Sequence, residues 1–149
     1  MSVSTSDVST SQANIIRIAC AMIRNERGEM LVVRKRGTST FMQPGGKIEP
    51  GEEASAALAR ELLEEIAVVA DPAAMTFLGC LSAPAANEPG WIVEAQLFAV
   101  PHTGAPVACA EIEAIRWVDP VAPGDLVLAP LTRDAVLPLC ARGHERPRT

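Results

Sequence analysis

Two glycine–proline breaks run straight into a helix-forming stretch, and this junction limits what the chain can fold into. Pro44-Gly45-Gly46 and Pro50-Gly51 make a turn-prone loop, and from Glu52 to Ile66 neither Pro nor Gly interrupts the chain. Glu52 and Glu53 suit the positive end of a helix dipole. At about 100° per residue, Leu58, Ala59, Leu62, Leu63 and Ile66 share one arc, which predicts the face turned to a core. Glu61, Glu64 and Glu65, spaced i, i+3 and i+4, fill the adjoining arc. Carboxylates at the edge of a buried face are partly desolvated and held by neighbours, yet open on one side. Their mutual repulsion costs roughly 0.2–0.5 kcal/mol per pair, and Arg60 relieves part of it through Glu64, four residues on. A hard divalent cation would relieve more, because Mg²⁺ favours carboxylate and carbonyl oxygen and shares its shell with phosphates. A merely solvated acidic face is the plainer reading of the helix taken alone. The glycine loop beside it, with backbone groups close to the acids, favours the metal.

These residues resemble the signature of the Nudix hydrolases, Gly-x5-Glu-x7-Arg-Glu-U-x-Glu-Glu-x-Gly-U with U a bulky aliphatic. Gly46, Glu52, Arg60, Glu61, Leu62, Glu64, Glu65 and Val68 fall on it, preceded by Phe41-Met42-Gln43-Pro44-Gly45. Ala67 departs from it where the family has Gly. A left-handed helix end there costs a non-glycine residue ~1–2 kcal/mol. Ala67 carries no ligand atom, so the departure predicts a modest loss of stability and a surviving site. The resemblance implies an αβα sandwich with a mixed β-sheet between helices. It also implies hydrolysis of a diphosphate bond by water attack on phosphorus, with Mg²⁺ as the metal and Mn²⁺ as the alternative. It implies Glu64, Glu65 and the Gly45 carbonyl as metal ligands, and Glu61 as a further ligand or the general base. Arg60 would orient the acids through its planar fork, and Glu52 would brace the loop against the helix. Family members often add an acid from outside the signature. Glu111 is the first candidate for that catalytic role and Glu113 the second, with a strand-edge charge as the other reading of Glu111.

The 149 residues amount to one domain, expected at 14–142 between a flexible N-terminal tail, 1–13, and a flexible C-terminal tail, 143–149. The first thirteen residues are rich in Ser and Thr without an apolar run, which predicts neither a signal peptide nor a membrane span. Strands are predicted over 14–23 and 29–36, joined by a turn at 24–28. In the second of these, Met30, Val32 and Arg34 point one way and Leu31, Val33 and Lys35 the other. Arg34, Lys35 and Arg36 are either a solvated strand end or a contact for phosphate and ribose. Arg34 and Arg36 are the substrate-binding candidates, with Gly46 and with Phe41, which could stack on a base or pack in the core. Further strands are predicted at 73–83, 91–100 and 111–118, and a helical run at 126–142 with Leu131, Ala135, Val136, Leu139 and Cys140 on one side. This pattern predicts an α/β or α+β fold, a mixed sheet covered by helices on its two faces.

Net charge −5 excludes a general binder of nucleic-acid polymers but not a nucleotide, which a few local cations and a metal can hold. Aromatic residues are 3% and Tyr is absent, so the core must be aliphatic. Cys20, Cys80, Cys109 and Cys140 are scattered without metal-ligand spacing, which predicts reduced cysteines and a cytoplasmic protein. No membrane partner is expected, and a homodimer stays open. Within the resembling family, Pro84 stands sixteen residues after Val68, as in the ADP-ribose branch. That favours a nucleoside diphosphate linked to a further moiety, with ordinary or oxidised (d)NTPs as the alternative. The Tyr of the dinucleoside polyphosphate branch is missing, no coenzyme A hallmark is present, and Pro130-Leu131-Thr132-Arg133 lacks the Asn with which the oxidised-purine branch reads its base. A non-catalytic nucleotide-sensing module is the reading from another class, and the intact acids argue against it.

Overall fold

The computed structural model describes residues 14–86 and 88–145, so the expected N-terminal tail lies outside the described residues, as do 146–149 of the C-terminal one. Strand β1 (Ile15–Met22) shows how the layers form. Its Ala19 and Ala21 enter one core, and Cys20 and Met22 enter another. Strand β2 (Met30–Lys35) repeats the division, with Leu31 and Val33 on the first side and Met30 and Val32 on the second. Helix α1 (Ala54–Ile66) closes the first core with Leu58, Leu62 and Ile66. The C-terminal helical segment closes the second with Leu131, Val136, Leu137 and Cys140. A period of two with both parities apolar is what a strand between two helical layers requires. The result is the αβα sandwich.

The remaining strands are β3 (Phe41–Met42), β4 (Gly45–Lys47), β5 (Thr76–Pro84), β6 (Ile92–Ala99) and β7 (Ile112–Val118). They divide between two sheets, one ordered β4-β1-β6-β5 with β1 and β6 parallel, the other an antiparallel β3-β2-β7. The sheets touch through an Arg24–Met30 bridge and a bond from the Leu31 N–H to the Ile23 carbonyl, 3.0 Å. In the first sheet Ala19 faces Gly46 and Cys20 faces Gly45, which pins the glycine loop beside α1.

Helix α1 buries Ala57, Leu58, Leu62 and Ile66, whereas Leu63, expected inside, is 54% exposed. The buried stripe is therefore turned by about 50° toward the acids. Glu61 and Glu65 fall on its sheltered flank and are half-buried, and Glu64 is left outside. The helix ends with Ala67 in the left-handed region, φ 59° and ψ 31°. The Ala67 and Val68 N–H groups donate to the Leu63 and Leu62 carbonyls, both at 3.2 Å. Ala67 thus takes the strained conformation in which the family uses Gly. Ala67→Gly should raise unfolding stability by about 1 kcal/mol in urea titrations and leave turnover within twofold. A destabilised variant, or one with greatly increased turnover, would contradict this.

Two segments differ from the sequence-based expectation. The helix predicted from residue 126 begins later, because 127–129 is extended against β3: the Phe41 N–H donates to the Val127 carbonyl at 2.8 Å and the Ala129 N–H to the Phe41 carbonyl at 2.9 Å. A π-helical turn, Thr132–Val136, then leads into α2 (Leu137–Glu145), which passes the Gly143 where the C-terminal tail was expected to start. Pro138 has no N–H and crowds the carbonyl four residues back, and the widened turn just before it relieves both problems. At 72–74 the chain makes a 3₁₀ turn, its Ala73 N–H capped by the Asp71 carboxylate at 2.9 Å, so β5 begins at Thr76.

Candidate active site

Arg60 ties the glycine loop to the helix. Its Nε and Nη2 donate to the two oxygens of Glu52, each at 2.9 Å, and Nη1 donates to Glu61 Oε2 at 2.9 Å. Nη2 also reaches the Lys47 carbonyl at 3.2 Å, and Glu52 Oε1 accepts from the Glu49 N–H at 3.0 Å. The Arg60 guanidinium holds the Glu52 carboxyl down at about 2. Glu64, four residues on, stands looser at 3.8 Å from Nη1, with its side chain 57% exposed. The planar fork therefore serves Glu52 and Glu61 first.

Glycine is required where loop meets helix. A Cβ at Gly46 would land on the Glu61 carboxyl carbon and within 2.7 Å of its Oε2. A Cβ at Gly45, which has φ +151°, would collide with the Ala19 carbonyl and stand 2.7 Å from Cys20 Cα. The bare backbone at Gly46 thus forms a seat for the Glu61 carboxylate.

At the other end of α1 the helix leaves carbonyls without helical partners. The chain between β6 and β7 supplies them: the Val107 N–H donates to the Ile66 carbonyl and the Cys109 N–H to the Glu65 carbonyl, both at 2.9 Å. This docking brings Glu111, anchored by the Arg36 N–H to its own carbonyl at 2.7 Å, toward the Glu65 side chain. Burial, then the neighbouring Glu61 and Glu111 charges, push Glu65 up to about 7, with Lys35 pulling the other way. Glu61, Glu65 and Glu111 are therefore one electrostatic cluster. Glu113, the second choice for the outside acid, instead faces the Arg36 guanidinium at 3.8 Å on the surface.

Next to the cluster lies a cleft lined by Lys35, Gln43, Gly45, Gly46, Lys47 and Glu65 at its polar end. Lys35 and Lys47 line this cleft, and Arg34 and Arg36, the cations that sequence reading favoured, do not. The Arg36 side chain is exposed and faces Glu113, and Arg34 Nη1 donates to the Thr38 carbonyl at 2.7 Å. Phe41 is a core residue, 6% exposed, with the Arg34 and Arg116 guanidinium carbons 5.8 and 5.7 Å from its ring centre. It therefore offers no free face to a base. The signal for Lys35 was in the alternation, since it shares parity with Leu31 and Val33, which pack under α1.

Oxygen donors alone, from Glu61, Glu65 and Glu111 with backbone at Gly45, form a set that fits a hard divalent cation. Among the described residues no three acidic, His or Cys side chains stand close enough to hold an ion, so holding one would require these carboxylates to draw together. Without it, the cluster makes stability depend on pH. Glu65 keeps its proton in the folded protein up to about 7, against an ordinary value of 4.5. Between those values the folded state binds more protons than the unfolded one, so stability falls as pH rises. Glu52, shifted the other way, acts only below its ordinary value. In EDTA the Tm should therefore decline from pH 5 to pH 7, and Glu65→Gln should flatten the decline. A Tm that rises across this interval would contradict the assignment.

Residues 14–137 match the NUDIX domain. Among curated proteins, the 8-oxo-dGTP diphosphatase of Haemophilus influenzae is 43% identical over 60 residues, 38% of this chain and 44% of that one. The 8-oxo-dGTP diphosphatase of Escherichia coli is 39% identical over 57 residues, 36% of this chain and 44% of that one. The chain thus spans less than half the length of these two relatives. A crystal structure of a nudix family member from Chromobacterium violaceum superposes with a TM-score of 0.70 at 27% identity, covering 92% of this chain and 83% of that one.

Proposed function

The chain belongs to the NUDIX domain family, and from that premise we propose that it is a metal-dependent pyrophosphohydrolase of nucleoside triphosphates, oxidised purine nucleotides among them. One observation carries the reading: Glu61, Glu65 and Glu111 gather beside the Gly46 seat, at the head of a cleft that also holds Lys35 and Lys47. The relatives named for 8-oxo-dGTP favour the triphosphate reading over the ADP-ribose one that Pro84 suggested. Pro84 does line the cleft, so a linked nucleoside diphosphate stands as the second reading.

A diphosphate resists water because its oxygens are negative. Bound Mg²⁺, or Mn²⁺, would neutralise that charge and make a bound water acidic. Glu61 and Glu65 would hold the ion, with the Gly45 carbonyl beside them and Glu64 free to swing in. Lys35 and Lys47 would draw the phosphates to the polar end. Glu111, without an ion pair among the described residues, would accept the proton of the attacking water. Arg60 keeps Glu61 in register for this work. The four cysteines are free, which accords with a cytoplasmic enzyme. No helix of the described residues is long and apolar enough to cross a membrane.

A nucleotide panel with Mg²⁺ or Mn²⁺, set against EDTA, tests the proposal. Release of monophosphate and pyrophosphate from triphosphates supports it. Preferential cleavage of ADP-ribose would move the assignment to the second reading, and tight binding without turnover would make the protein a sensor.

A further inference from the structure

Among the described residues only two polar side chains are buried, Gln43 at 5% exposure and Thr132 at 0%, and they hold each other. The Thr132 hydroxyl donates to Gln43 Oε1 at 2.7 Å across 89 positions of sequence. Gln43 lines the cleft, and its neighbours there besides the phosphate-end residues are mostly aliphatic, Ile16, Ile18, Val33, Val93 and Leu131 among them, with Glu88 the one further charged side chain. Among the described residues no aromatic side chain lines the cleft. Whatever planar group enters is therefore gripped by aliphatic walls and oriented by few polar atoms, of which the Gln43 amide is the one set deepest in the fold. An amide whose oxygen is engaged by a hydroxyl presents its NH₂, which can only donate. Gln43 lines the cleft, so the NH₂ is the end of the amide left to meet a ligand there.

We propose that Gln43 is the specificity-determining residue of this cleft, donating from Nε2 to a carbonyl of the base, with Thr132 as the positioning residue that fixes which end of the amide faces the ligand. The inference rests on reading the cleft as the nucleotide site, and it narrows the substrate class. Bases with an exposed carbonyl, such as guanine and its 8-oxo form, satisfy the donor. Adenine sets an amine against it and leaves a buried donor unmatched, which is where discrimination between similar ligands is strongest.

The test is kcat/KM for dGTP, 8-oxo-dGTP and dATP with Mg²⁺, paired with calorimetric binding of dGMP and dAMP. The wild type should favour the guanine nucleotides over adenine by about tenfold or more in both measurements. Gln43→Met should bring the ratio near unity. Gln43→Glu, which replaces the donor by an acceptor, should move it toward adenine. Thr132→Val should erode the ratio by freeing the amide to turn over, and Thr132→Ser should restore it, a recovery that a purely structural role for the methyl group would not give. Circular dichroism and Tm identify any variant that fails to fold, and the Thr132 pair then carries the test. A wild type that prefers adenine, or a folded Gln43→Met with an unchanged ratio, overturns the assignment of Gln43 alone. A wild type that neither cleaves nor binds any of these nucleotides overturns the reading of the cleft, and this inference with it.

Discussion

Glu65→Gln lowers kcat by about 10²–10⁴-fold while the metal-free protein keeps or gains thermal stability at neutral pH: this is the largest separation of activity from stability that the site predicts. The amide preserves shape and removes the charge. Burial and the charges of Glu61 and Glu111 already oppose ionisation of Glu65, so losing that charge relieves the folded state. On the proposed reading, the same loss would leave a divalent cation with one fewer anionic ligand. Steady-state kinetics with Mg²⁺, beside melting curves in EDTA, read both sides. A variant that retains most of its turnover, or that melts well below the wild type in EDTA at pH 7.5, would remove Glu65 from the centre of the site.

Gly46→Ala should cost about 10²-fold in kcat/KM although no ligating atom is deleted. The new methyl would occupy the position of the Glu61 carboxyl group. Glu61 is only 14% exposed at its side chain and is held by Arg60 Nη1, so its escape routes are few and each one breaks the bond to the guanidinium. The loop, pinned by Ala19 and Cys20 opposite Gly46 and Gly45, cannot retreat without opening the sheet edge. Divalent-ion titration by calorimetry separates this mechanism from a folding defect. Weaker ion binding with a wild-type far-UV spectrum is expected, and undiminished ion affinity would count against the seat.

How much of this was legible in the sequence depended on the range of the interactions involved. The helix and its row of acids are local, and their spacing marked them before any tertiary contact was known, whereas the spacing paired Arg60 with Glu64 and it is Glu52, on the loop, that the guanidinium grips more closely. Leu63 was misplaced because helical periodicity states which residues share an arc, not which arc a neighbouring sheet will choose. The burial of Ala57, and not of Leu63, reflects the sheet beneath. Lys35 lost to Arg34 and Arg36 for a similar reason. Alternation put Lys35 with Leu31 and Val33, but both parities of β2 are apolar, and only the packing of α1 showed which of them faces the acids. The Gln43–Thr132 bond joins residues 89 apart and depends on how the C-terminal turn packs, and no short-range pattern carries it. The late start of the C-terminal helix follows from pairing of 127–129 with Phe41, again a contact that the helical run alone could not announce.

The Arg60 guanidinium bridges Glu52, Glu61 and the Lys47 carbonyl with bonds made wholly within the chain. The loop and the helix are consequently latched together by the chain's own charges. Binding a divalent cation would then ask only that a few carboxylates pivot, since the guanidinium already supplies an internal cation where a zinc-dependent fold must wait for its ion. Exchange of one divalent ion for another should therefore be rapid and reversible, with occupancy following the ambient ion supply rather than the history of folding.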